Sequence, residues 1–304
     1  MKKKILILSG GISKERSISI DTGIQVAKEL KRNGYIVKIS EPDKELSKKI
    51  KKFKPQIIFN ALHGQFGEDG YIQTILEGFK IPYTHSGIIA SSIAMDKEIS
   101  KKFFVKYKID TPKSISYSFD KKNSEIIKLI DKKLKFPVVV KPKNEGSSVN
   151  VYICNKKNIS KILKTLKSYR QVMIEEFIGG REIQVAIMGN KKLGAIELKP
   201  KRKFYDYQAK YNSKAKTEHL IPVKLREKKL NEVLNIALKA HQIIGCRGIS
   251  RSDFKYFNNK FYLLEINTQP GMTNLSLVPE IASHSGISFI NLIKWILKDA
   301  STKR

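Results

Sequence analysis

The chain has 304 residues, 41% of them hydrophobic and 29% charged, which excludes a disordered or fibrous protein and leaves room for two or three domains. Its 59 Lys and Arg against 28 Asp and Glu give a net charge of +31. The excess is lysine spread over polar helix faces, not a basic stripe interleaved with aromatics, so no nucleic-acid partner is expected.

Residues 3–9 read as a buried strand ending in Gly10-Gly11. A helix follows over 18–33, then a strand over 35–39, a helix over 45–53 and a strand over 56–61. This alternation predicts a parallel sheet with helical crossovers. The polar segment 63–69 lies just past the third strand, where such sheets place ligands. Next come a helix over 97–106 and strands over 113–117 and 137–141 around a helix at 124–133. A strand at 172–177 runs into Gly179-Gly180, which reads as a hinge, and 182–188 with 193–199 reads as a hairpin. Segment 200–222 is long, polar and studded with aromatics, the character of a functional lid or a disordered segment. A helix over 224–244, strands over 250–257 and 260–266, a loop over 267–279 and a helix over 288–298 complete the pass. The chain divides into regions 1–95, 96–180 and 181–304.

Cys154 and Cys246 are too few for a disulfide scaffold or a thiolate metal site, and fit a reducing cytoplasm. No apolar run approaches the roughly 18 residues of a membrane span. Ile5-Leu6-Ile7-Leu8 is too short for the core of a secretion signal. A cytoplasmic protein with no membrane partner is expected.

Asp253, Glu265 and Asn267 carry the strongest chemical signal. Glu265 and Asn267, two apart on a strand, point to one face, and Asp253 lies on the preceding strand. Two carboxylates and an amide oxygen form a hard site that suits Mg²⁺ shared with phosphates. A salt bridge to a lysine is the plainer reading. It is weakened because Glu265 follows the apolar run Phe261-Tyr262-Leu263-Leu264. If Asp253 opposes Glu265 in a regular hairpin, Phe257 opposes Phe261 across a three-residue loop, Asn258 to Lys260. A two-residue Asn258-Asn259 turn without a bulge would put the carboxylates on opposite faces.

Lys141 ends the apolar strand Phe136 to Val140, where a lysine alone tends to snorkel outward. The loop Glu145-Gly146-Ser147-Ser148 follows at once, and turned backbone N–H groups there make an anion cradle. Lysine and loop together read as a polyphosphate site. It is not a Walker A motif, and Gly10-Gly11 is not a dinucleotide fingerprint. The extended stretch Glu175-Glu176-Phe177 offers a backbone edge to a purine, though most such segments are simply strand ends. No Gly-x-Ser-x-Gly elbow supports serine hydrolase chemistry. Glu15, His63, Arg251 and the tyrosines of 200–222 are the remaining polar candidates.

These residues fall into an ordered series of motifs: Gly10-Gly11-x-Ser13-x-Glu15-Arg16, Leu62-His63-Gly64, Gly67-Glu68-Asp69-Gly70, Met95-Asp96-Lys97 and Lys141-Pro142-x-x-Glu145-Gly146-Ser147-Ser148-Val149. Phe204-Tyr205-Asp206-Tyr207-x-Ala209-Lys210-Tyr211, Arg251-x-Asp253 and Leu264-Glu265-x-Asn267-Thr268-x-Pro270-Gly271-Met272-Thr273 follow. The series spans nearly the whole chain and resembles the D-alanine–D-alanine ligases, a family of ATP-grasp carboxylate–amine ligases. The resemblance implies an α/β (α+β) ATP-grasp fold of three domains. These would be an N-terminal parallel-sheet domain (1–95), a central domain (96–180) and a C-terminal domain (181–304) with a lid at 200–222. It implies ATP and two D-alanines as substrates, a D-alanyl phosphate intermediate, two Mg²⁺ ions (Mn²⁺ being the alternative) and a homodimer. The product would be the dipeptide used in peptidoglycan.

By motif position, the resemblance assigns Lys97, Lys141 and the loop at Ser148 to ATP phosphates. It assigns Glu175, Glu176 and Phe177 to adenine, Glu182 to ribose, and Lys210 to the γ-phosphate. Asp253, Glu265 and Asn267 become the metal ligands. Glu15, tied to Ser147 and Tyr211, would hold the first D-alanine's ammonium, with His63 near its carboxylate. Arg251 and the Gly271 N–H would stabilise the oxyanion, while Ser276 and the Leu277 N–H would take the second carboxylate. Ligases forming D-alanyl-D-lactate or D-alanyl-D-serine are the rival within the resemblance. The lid tyrosine argues against them.

Overall fold

A computed structural model describes residues 2–120, 123–147, 149–200, 217–273 and 275–302. The alternation read near the start of the chain is present. β1 (Lys4–Leu8), α1 (Arg16–Arg32), β2 (Ile36–Ser40), α2 (Leu46–Phe53) and β3 (Ile57–Asn60) form a parallel sheet in the order β2-β1-β3. All four residues of β3 are buried, as for a strand covered on both faces. Helices α3 (Tyr71–Phe79) and α4 (Ile88–Met95) follow, both beyond what the sequence pattern gave.

α5 (Lys97–Lys106) spans the expected residues. The Asp96 carboxylate caps it, accepting from the backbone N–H groups of Glu98 and Ile99 at 2.9 and 3.0 Å. That cap fixes Lys97 in the first turn. β4 (Ser114–Ser118), α6 (Asn123–Lys133), β5 (Val138–Pro142), β6 (Tyr152–Cys154), α7 (Ile159–Thr165) and β7 (Gln171–Glu176) build a four-stranded sheet, β4-β7-β5-β6. β6 and α7 had no clear signature in the sequence.

β8 (Arg181–Met188), β9 (Lys191–Lys199), β10 (Glu218–Leu220), β11 (Ile249–Phe257) and β12 (Lys260–Asn267) form an antiparallel sheet in the order β10-β9-β8-β11-β12. Helices α8 (Glu227–Ile244), α9 (Leu277–His284) and α10 (Phe289–Asp299) pack on it. Of the expected lid, residues 201–216 lie outside the described residues, and β10 occupies its far end. The expected loop 267–279 is shorter than read, because α9 begins at Leu277. Among the described residues no helix is long and apolar enough to cross a membrane.

Two of the cores join distant parts of the chain. Ile5, Ile7, Val26 and Leu30 pack in one cluster with Ile196, Ile281, Leu292, Ile293 and Ile296. Backbone hydrogen bonds between Tyr83 and Ser301, at 3.2 and 3.3 Å, close the same seam. A second cluster brings Ala90, Ala94 and Phe104 onto the sheet beside Ile183, Val185 and Phe254.

The β11–β12 hairpin corrects the expected three-residue loop. Phe257 pairs with Lys260, so the turn is the two residues Asn258-Asn259, with φ of 47° and 61°. Two left-handed residues at the tip make a type I′ turn, whose twist matches that of the strands. Asp253 still opposes Glu265, because the register shifts between Asp253 and Phe254 and leaves Leu264 unpaired. The bulge restores the shared face that the turn alone would remove. β12 records it: Phe261, Leu263 and Ile266 are buried, while Leu264 and Glu265 are successive half-buried residues.

The turn supplies a stability test. Asn258→Val places a β-branched side chain at positive φ and should lower the free energy of unfolding by about 1–2 kcal/mol. Asn259→Gly, free of that restriction, should leave the urea midpoint equal or higher. Equal midpoints for the valine variant and the parent would contradict the type I′ assignment.

Candidate active site

Glu15 sits just ahead of α1 and is buried beneath the loops that follow β3 and β5. The Ser147 hydroxyl donates to its Oε1. Two glycines make room for the carboxylate. A Cβ on Gly146 would lie 2.6 Å from Glu15 Oε2, and one on Gly64 would lie 2.7 Å from the same atom. Gly64 also has a φ of +68°, a conformation that glycine adopts without strain. Ser13 locks the arrangement by accepting from the Glu15 N–H at 2.9 Å and donating to the His63 carbonyl at 2.7 Å.

His63 follows β3 and is buried, its Nε2 sharing a 3.1 Å hydrogen bond with Thr22 Oγ1. Burial, helped by the nearby Arg251 charge and opposed by a hydrogen bond to the Gln269 backbone, lowers its pKa to about 4. The ring is neutral at pH 7. Glu68 lies in the same pocket, taking the Gly64 N–H on Oε1 at 3.0 Å. Burial, then the Glu15 charge, hold its carboxyl well above the usual carboxylate range.

Gln269 ties the loop after β12 to the loop after β3. Its side chain accepts from Asn60 at 2.7 Å and donates to the Leu62 carbonyl, and its N–H donates to Asn267 Oδ1 at 2.7 Å. This brings Gly271 under His63: a Cβ there would meet Ser276 Oγ at 2.9 Å and His63 Nε2 at 3.9 Å. Ser276 precedes α9, and its hydroxyl oxygen accepts the Thr273 N–H at 2.9 Å.

A second cavity adjoins the first. Lys141, Glu175, Glu176, Phe177, Glu182 and Asp253 line it, and Lys97 and Glu265 line both. Lys141 is buried and paired with Glu175 at 2.5 Å rather than snorkelling. The Lys97 ammonium donates to the Glu145 carbonyl at 2.6 Å and stands 3.4 Å from Glu265. Glu182 pairs with Lys255 at 2.9 Å. Arg251 clamps Asp253 with two bonds, 2.7 and 3.0 Å. The acids of this junction are each met by a cation of the chain itself.

The structure therefore gathers Glu15, His63, Ser147, Arg251, Gly271, Ser276 and Leu277 around one cavity. Lys141, Glu175, Glu176, Phe177, Glu182 and Asp253 stand around the other, with Asn267 on the first at their junction. Ser148, Lys210 and Tyr211 lie outside the described residues. Thr22, Gln269 and Lys255 were missed by sequence reasoning; each acts through a partner remote in the chain and leaves no local pattern. Glu68 stood within a recognised motif, but nothing in the sequence marked its burial.

Comparison with known proteins decides the family. The model "D-ala D-ala ligase C-terminus" matches residues 113–298, and "D-ala D-ala ligase N-terminus" matches residues 38–86. The chain is 74% identical over 304 residues to a D-alanine–D-alanine ligase of Pelagibacter ubique, covering 100% of both. This chain belongs to the D-alanine–D-alanine ligase family. Its fold superimposes on a crystal structure of the Bacillus anthracis ligase with a TM-score of 0.86 at 33% identity, covering 98% of this chain and 97% of the other. On the structure of that ligase complexed with ATP the values are 0.84, 31%, 98% and 97%. The three-sheet architecture is the ATP-grasp fold of this family.

The buried imidazole of this family member gives a pH test. With a folded pKa of about 4 against 6.5 for the free side chain, its contribution to stability is complete above pH 6.5. As the pH falls toward 4 the unfolded chain takes the proton first, so the contribution is progressively lost. The His63 ring-proton shifts should stay flat from pH 9 to about 5.5 and move only below that. A midpoint near 6.5 would contradict the neutral, desolvated ring.

Proposed function

We propose that the protein joins two D-alanines into D-alanyl-D-alanine, consuming one ATP, and that the two adjoining cavities hold amino acids and nucleotide respectively. The carrying observation is that Lys97 and Glu265 line both cavities. A carboxylate held in one can thereby meet the terminal phosphate held in the other. The family's ligase activity and ATP use fit this division.

In this reading, Glu15 takes the ammonium of the first D-alanine and Ser147 holds the Glu15 carboxylate in place. The substrate carboxylate attacks the γ-phosphorus, ADP leaves, and an acyl phosphate results. The amine of the second D-alanine, having lost a proton, then attacks the acyl carbon. The tetrahedral oxyanion collapses and phosphate departs. The Arg251 guanidinium and the Gly271 N–H face the developing charge, where fixed donors contribute most. The second carboxylate rests on Ser276 and the Leu277 N–H at the start of α9, whose unpaired amides favour an anion. Neutral His63 lies near the first carboxylate without adding charge to Arg251.

Lys97 and Lys141, with the loop carrying Ser148, take the phosphates. The backbone edge at Glu175, Glu176 and Phe177 takes adenine, and Glu182 the ribose. Lys210 for the γ-phosphate and Tyr211 for the Glu15–Ser147 pair rest on the resemblance alone. Asp253, Glu265 and Asn267 fit Mg²⁺ by the chemistry of their donors: two carboxylates directly opposed across a ladder and an amide oxygen. Among the described residues no three His, Cys, Asp or Glu converge as a cage. Bound there, Mg²⁺ would offset the charge of the phosphate oxygens. Regions 1–95, 96–180 and 181–304 serve as the three domains, each holding one sheet. The two cysteines are buried and free, in keeping with a reducing cytoplasm. A homodimer rests on the resemblance.

Phosphate release should require ATP and D-alanine together, with the dipeptide found by chromatography; release without D-alanine, or no dipeptide, would overturn the proposal. Gly146→Ala puts a methyl against Glu15 and should lower kcat/KM for D-alanine by about tenfold or more, while KM for ATP changes little. Equal loss for both substrates would remove Glu15 from the amino-acid site.

A further inference from the structure

Lys101 lies one turn beyond Lys97 on α5; it lines neither of the two cavities but contributes to the wall of a separate one, between α5 and residues 111–116. It is buried all the same. Its ammonium donates to the Pro112 carbonyl at 2.8 Å and stands 2.7 Å from Glu175 Oε2, off-axis for a hydrogen bond. The other Glu175 oxygen receives Lys141 at 2.5 Å. None of the three side chains is more than 7% exposed. A lysine this deeply buried is costly unless its charge is paired or serves a purpose.

The cluster contains two ammoniums and one carboxylate, hence one unit of net positive charge. Lys141 is the member that faces the second cavity beside Glu175. With Lys101 absent, Lys141 and Glu175 would cancel, and the wall would present a neutral pair to an anionic ligand. We propose that Lys101 is a positioning residue: by sharing Glu175 with Lys141, it leaves the Lys141 charge available to the polyphosphate of a nucleotide. The proposal rests on reading the second cavity as the nucleotide site.

Other charges bear on this group. Glu176 on β7 adds to the attraction of Glu175, while Lys141 on β5 repels it. Burial above all brings the Lys101 pKa down to about 8, so at pH 7 it is still mainly protonated. Burial raises the Glu175 pKa, but its two lysines outweigh this and hold it below the usual carboxylate value. The three charges therefore coexist. The Pro112 bond fixes Lys101 to the segment between α5 and β4, so the shared carboxylate is held from two sides.

The test is calorimetric titration of the full chain with ADP and MgCl₂ at pH 7, together with steady-state kinetics. Lys101→Met should weaken ADP binding about tenfold or more, raise KM for ATP in step, and change KM for D-alanine less than twofold. Lys101→Arg, which keeps the charge, should bind ADP within threefold of the parent. The deciding variant is the double Lys101→Met/Glu175→Gln. It removes one charge of each sign and restores the net positive unit, so it should bind ADP more tightly than Lys101→Met. ADP binding by Lys101→Met within threefold of the parent, or a double variant no better than the single, would overturn the proposal. Lys141→Met is the separate control: unchanged ADP affinity there would overturn the nucleotide reading itself.

Discussion

Leu264 is one residue more than the ladder between Ile249–Phe257 and Lys260–Asn267 can pair, and the junction of the two cavities depends on it. Without the extra residue, the type I′ turn would set Glu265 against Ser252, and the two carboxylates would leave opposite faces of the sheet. With it, Asp253 and Glu265 stand across from one another. Arg251 and Asn267 flank them as a second directly opposed pair. Arg251, Asp253, Glu265 and Asn267 thus come to a single face of a buried antiparallel sheet, a rigid base for chemistry that needs fixed charges.

Much of this was legible from the sequence, and the exceptions share a cause. The helix Lys97–Lys106 is read over its full length. The strands β1, β3 and β5 are announced by unbroken apolar runs. Ile88–Met95 escaped because Ile-Ile-Ala-Ser-Ser-Ile-Ala-Met has apolar or small residues all round, so no period separates a core face from a wet one. The hairpin is the more instructive case. Asn258-Asn259 carries the signature of a two-residue turn, whereas the metal-site parity demanded three. A bulge reconciles them, and its only trace in the sequence is the doublet of Leu263 and Leu264. Lys101, Thr22 and Gln269 escaped for another reason. Lys101 and Gln269 meet Glu175 and Asn60 only through the packing of separate sheets, and Thr22 meets His63 only once α1 folds back against the loop after β3.

The charge of +31 and the chemistry of the site belong to different parts of the molecule. Among the described residues, Glu15, Glu68, Glu175, Glu182, Glu197 and Asp253 are buried, against the buried lysines Lys97, Lys101 and Lys141. Among them the interior thus carries more acids than lysines, and their surface is more basic than their composition suggests. What an incoming anion meets in the cavities is set by a few paired side chains, some of them held at perturbed pKa values by burial. The lysine-rich exterior is screened from them by salt and distance.

The seam between the first sheet and α10 has a consequence for how the molecule is made. Ile5, Ile7, Val26 and Leu30 bury their surface against Leu292, Ile293 and Ile296, and Tyr83 is stitched to Ser301. During vectorial synthesis, residues 4–60 emerge long before residues 289–299. The nascent βαβ unit must wait with part of its apolar face uncovered. Glu15, Ser13 and His63 are carried by that unit, so the amino-acid pocket acquires its final shape only after almost the whole described chain has left the ribosome. Until then the uncovered apolar face is the surface on which the growing chain would associate with others or with a chaperone.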